Sequence, residues 1–133
     1  MAHPPMFDPD EPDLARVRDL CRVFPGADEK VSHGRPAFFT KKVFAYYGYS
    51  VKVGAEWVQH PRSVVVLPAD GERDAVLSLP NVSVPAYLGP TGWIGYDLAE
   101  PPGATDWDEV WELIADSFAR TAPAALRREW EGR

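Results

Sequence analysis

The apolar pattern of this chain changes period after Pro25-Gly26, and that change limits the fold more than any other feature. Before it, Leu14, Val17, Leu20, Cys21 and Phe24 recur at the spacing of one helical face. Asp10 is positioned to cap this helix, and Glu11, Pro12 and Asp13 suit its positive end. After it, residues 36–40 and 43–49 read as two aromatic-rich strands around a Lys41-Lys42 turn, a β-hairpin. The β-branched run Val64–Leu67 predicts a short mid-sheet strand, reached through a loop containing Gly54, Trp57, His60 and Pro61.

The second half repeats the alternation. Asp70 heads a short helix through Ala75, Val76 and Leu79, and residues 82–88 and 93–98 form a second hairpin across Gly89–Gly92. Trp107, Val110, Trp111, Ile114 and Phe118 share one face of the clearest helix, opened by Asp106 with Glu109 three residues on, as in a capping box. A last short helix runs toward Trp130. Helices that precede, interrupt and follow strands predict an α+β, two-layer fold: an antiparallel sheet of about five or six strands, packed against N- and C-terminal helices, with a short middle helix. With 133 residues, and Pro4, Pro5 and Pro9 in the first nine, the reading is a flexible tail over 1–9 and one domain over 10–130.

Composition narrows the chemistry. The lone Cys21 sits on the apolar helix face, where a thiol is inert, and it cannot pair within the chain. With no signal-peptide pattern and no apolar run near the ~20 residues of a membrane span, the expectation is a cytoplasmic protein without membrane contact. Only His3, His33 and His60 are present and no Cys-x-x-Cys occurs, so neither a metal nor a cofactor site is expected. Gly89-x-x-Gly92-x-x-Gly95 lacks the lysine and helix of a phosphate loop and reads as a turn. The acidic start of the first helix is read as helix-end complementarity, and Asp108, Glu109 and Glu112 as the solvated face of the late helix. Every residue type that catalysis needs thus has a structural explanation, which places a non-enzymatic binding protein above an enzyme.

Charge offers one functional lead. The net charge is −6, yet residues 31–69 hold five basic side chains (Arg35, Lys41, Lys42, Lys52 and Arg62) against Glu56 alone. With Tyr46, Tyr47 and Tyr49 interleaved, this block fits phosphate contacts and base stacking, and equally a solvated strand edge or another binding surface. Because neighbouring strand residues face opposite ways, Phe38 and Phe39 cannot enter one core, and one sheet face can present an aromatic pocket involving His33, Tyr46 and Trp93. Trp107 and Trp111 are further candidates to line such a pocket.

Phe24-Pro25-Gly26, Gly34-x-Pro36-x-Phe38, Lys42-x-Phe44-Ala45, Pro85–Gly89, Gly92–Leu98 and Asp106–Glu109 follow one another in an order and spacing that resembles the MmcQ/YjbR-like family of small bacterial proteins. The resemblance covers roughly residues 14–127, and the stretch from Gly54 to His60 matches none of its motifs. It implies a fold similar to frataxin-like and secretion-chaperone-like proteins, and a DNA-binding role through a double-wing hairpin arrangement. Capture of a protein segment, or of a small ligand in the aromatic pocket, stands beside DNA as the alternative.

Overall fold

The computed structural model describes residues 7–132. Helix α1 (Pro12–Arg22) is followed by strands β1 (Asp28–Ser32), β2 (Arg35–Phe39), β3 (Val43–Val53) and β4 (Glu56–Val66). Then come helix α2 (Arg73–Leu77), strands β5 (Val82–Ser83) and β6 (Ile94–Asp97), and helices α3 (Trp107–Thr121) and α4 (Ala124–Glu131). The strands form one antiparallel sheet in the order β1-β2-β3-β4-β6-β5, with helices on one face. The fold is the α+β two-layer arrangement that the periodicity predicts. The Val64–Val66 run is central and buried, as its composition requires.

Four local expectations are corrected. The helix α1 cap is Glu11, without a side-chain cap bond, while the Asp10 amide donates to Asp8. Asp70 does not cap α2, which starts after Glu72. The expected loop over 54–60 is strand: β3 turns at Gly54-Ala55 directly into β4, and both are 11 residues long. The expected strand over 82–88 ends at Ser83, and the chain then leaves the sheet through Pro85 and a single 3-10 turn at Gly89–Thr91. Strand β1 is an addition. It pairs with β2 through a two-residue turn in which His33 (φ 52°) and Gly34 (φ 83°) both adopt left-handed backbone, the combination a primed hairpin turn demands. Residues 1–6 of the expected tail lie outside the described residues, and Phe7 packs against the core.

The inner sheet face, Phe38, Ala45, Tyr47, Val64, Val66, Ile94 and Tyr96, packs on Leu14 and Val17 of α1 and on Val110, Ile114 and Phe118 of α3. Phe24 stacks on Trp111 and Phe118 and meets Trp130, closing one end of the helix layer. Alternation sends Ala37, Tyr46, Val65, Gly95 and Ser83 to the outer face in one cross-strand row. Phe38 is buried inside and Phe39 faces out, where Lys30 lies over its ring at 4.8 Å.

Candidate functional site

The outer face and the β3–β4 hairpin that extends from it hold the molecule's polar and aromatic groups of chemical interest. Beyond Ser50 and Arg62 the two strands pair only with each other, and residues 52–59 are all exposed. The hairpin therefore stands out from the sheet as a wing. Near its tip, Lys52 lies opposite Trp57 in register, with its ammonium 5.6 Å from the indole ring. Trp57 stacks on Tyr87, centroids 5.9 Å apart and planes at 22°. Tyr87 comes from the 84–93 loop, which the Ala86 amide ties to the Ser50 carbonyl at 3.0 Å.

At the wing's base, four strands converge on a polar knot. A bulge between Tyr47 and Tyr49 turns the Tyr49 ring over Gly95, where any Cβ would collide with it. His60 stacks on Tyr49, centroids 4.4 Å apart, and its Nδ1 lies 2.9 and 3.0 Å from the two Asp97 carboxylate oxygens. A carboxylate only accepts, so Nδ1 carries a proton and donates it to Asp97. The Tyr49 hydroxyl is 2.6 Å from Ser83 Oγ and also donates to Asp97 at 3.5 Å. Burial and the Asp97 charge push the Tyr49 phenol up to about 12, against the opposing pull of Ser83. Ser83 is bonded to Tyr49, and Asp97 fixes the orientation of the His60 imidazole.

The residues singled out in the sequence fall in different places. Lys41 and Lys42 form the exposed β2–β3 turn, as expected. Lys52 sits at the far end of β3, roughly 30 Å away along the strand. Arg35 donates to Gln59, and burial lowers its guanidinium pKa. Arg62 faces the helix layer, donates to Asp13 through Nε at 2.7 Å, and also bonds Glu100 and the Ala99 carbonyl. Glu11 is a further partner at 3.5 Å and itself accepts from the Tyr47 hydroxyl. The acids of the α1 start thus serve a partly buried ion cluster as well as the helix end.

The expected aromatic pocket does not assemble from His33, Tyr46 and Trp93. Tyr46 and Trp93 pack edge to face, centroids 5.6 Å apart, and use their rings on each other. His33 lies in the exposed β1–β2 turn, four residues or about 13 Å along β2 from the partner of Tyr46. Trp107 and Trp111 belong to the helix layer, against Arg16 and Phe24. Cys21 is buried, which pushes its thiol well up, in keeping with an inert side chain. Among the described residues no cluster of three metal-ligating side chains occurs, and no helix is long and apolar enough to cross a membrane. No protein-family model and no curated protein matches the chain.

Proposed function

We propose that this protein is a non-enzymatic nucleic-acid-binding protein of the MmcQ/YjbR-like type that presents its strand layer to the phosphate backbone. The observation that carries the reading is a set of exposed lysines on the strand layer. Lys30, Lys41, Lys42 and Lys52 are exposed on strands β1 and β3 and the β2–β3 turn, and none is in an ion pair among the described residues. The exposed acids of α3, Asp108, Glu112 and Asp116, lie on the opposite layer. A polyanion is drawn to these ammonium groups and repelled by the α3 carboxylates. Two of the lysines lie over aromatic rings, a pairing suited to backbone and base together.

Fluorescence anisotropy of labelled DNA across a salt series tests this reading. Binding should fall steeply with salt, and Lys41→Glu with Lys42→Glu should weaken it and flatten the salt slope by about two phosphate contacts. No binding at low salt overturns it. Exposed Val53 and Val58 beside Trp57 favour a second reading, capture of a protein segment, for which affinity would be nearly independent of salt.

A further inference from the structure

We infer that the Trp57–Tyr87 pair is a stacking platform for unpaired bases, so that the nucleic acid selected by this surface is single-stranded. The inference rests on the nucleic-acid reading above and concerns which form of nucleic acid the wing takes. Tyr87 is the decisive residue. Its φ of 66° lies in the left-handed region, which is costly for a side chain of this size, and the residue is 83% exposed, so burial does not repay that cost. The surrounding loop imposes the conformation: the Ala86 amide reaches Ser50 at 3.0 Å, and the Gly89 amide returns to the Pro85 carbonyl at 3.0 Å. Pro85 and Gly89 are both buried and anchor the loop on either side. What the strain achieves is to hold one large ring nearly parallel to Trp57, itself 45% exposed, on a part of the molecule that contributes nothing to the core.

An exposed pair of near-parallel rings with an ammonium beside it matches a base and its phosphate. Every base has a face that stacks, and only an unpaired base can leave its neighbours to do so. In a duplex those faces are already covered. The wing is nearly neutral, because Lys52 and Glu56 are the only charged side chains over residues 52–59. Its contribution is therefore contact and not long-range attraction. It follows that the wing and the lysines elsewhere on the strand layer should be separable: the lysines set the salt dependence, and the rings set the preference for single strands.

The experiment compares a labelled oligothymidylate with a duplex of the same length, using the full chain. Wild type should prefer the single strand. Trp57→Ala and Tyr87→Gly should each weaken single-strand binding by about tenfold, with duplex affinity and the salt slope unchanged. Trp57→Phe should retain most of the affinity. Tyr87→Gly is the control for folding, since glycine adopts the left-handed backbone freely and its melting temperature should equal or exceed that of wild type. If it melts well below wild type, the ring belongs to the fold and the inference is overturned. Unchanged single-strand affinity in both variants, with DNA still bound, overturns the platform and leaves the nucleic-acid reading standing. If wild type binds neither form, both fail.

Discussion

Tyr49, Tyr96 and Tyr47 each place a phenol among carboxylates within the folded sheet, and their protons are worth more folded than unfolded. Tyr96 donates to Glu109 at 2.6 Å, and burial with that bond pushes it up to about 12. Tyr49 is likewise pushed up to about 12, and Tyr47, bonded to Glu11, is raised further in the same direction. A free tyrosine ionises near 10. Between these values the folded state holds protons that the unfolded chain releases, so stability must fall as pH rises from about 10 to 12. Below about pH 10 the contribution is complete. Urea midpoints should therefore drop between about pH 10 and pH 12, in step with phenolate absorbance, and the drop should be shallower in Tyr96→Phe. A pH-independent midpoint across that range, with all phenols titrating near 10, would show these hydroxyls to be unperturbed.

The elements differ in how plainly the sequence announces them. Helix α3 is the plainest: Asp106 accepts from the Glu109 amide at 3.1 Å, as its spacing predicts. The capping box is only half made, because the Glu109 carboxylate turns to Tyr96. Asp106→Ala should accordingly cost about 1 kcal/mol in a urea titration. Helix α1 was equally legible from its one buried face, and the central β4 segment and the Lys41-Lys42 hairpin from their β-branched and aromatic runs. The outer half of the β3–β4 hairpin was not, because residues 52–59 are exposed on both faces and no alternation marks them as strand. Strand β1, five residues of mostly charged sequence at the sheet edge, hides for the same reason. The polar knot was illegible on other grounds. Tyr49, His60, Ser83 and Asp97 come from four strands, and their meeting depends on a bulge that shifts the register. Nor does a count of charge reveal that Arg62 is consumed by acids 49 and 38 residues away in sequence, Asp13 and Glu100. The strained backbone of Tyr87 has no signature in Pro-Ala-Tyr-Leu-Gly at all.

At the scale of the whole molecule, the exposed acids of α3 act at a distance on what the lysines of the strand layer attract. Asp108, Glu112 and Asp116 are exposed on α3, which packs on the inner face of the sheet. A domain of this size is about 30 Å across, several times the ~8–10 Å over which charges act at physiological salt, but comparable with the ~30 Å reach at 0.01 M. If the strand layer alone touches DNA, neutralising these acids removes a long-range repulsion and no contact. The triple variant Asp108→Asn, Glu112→Gln, Asp116→Asn should then bind DNA about threefold more tightly near 0.01 M salt, mainly through faster association, and indistinguishably from wild type above about 0.15 M. Anisotropy and stopped-flow mixing at the two salt concentrations measure this directly. A gain that persists at the higher salt would mean that α3 itself lies against the nucleic acid, and the binding face would have to be moved from the strands to the helices.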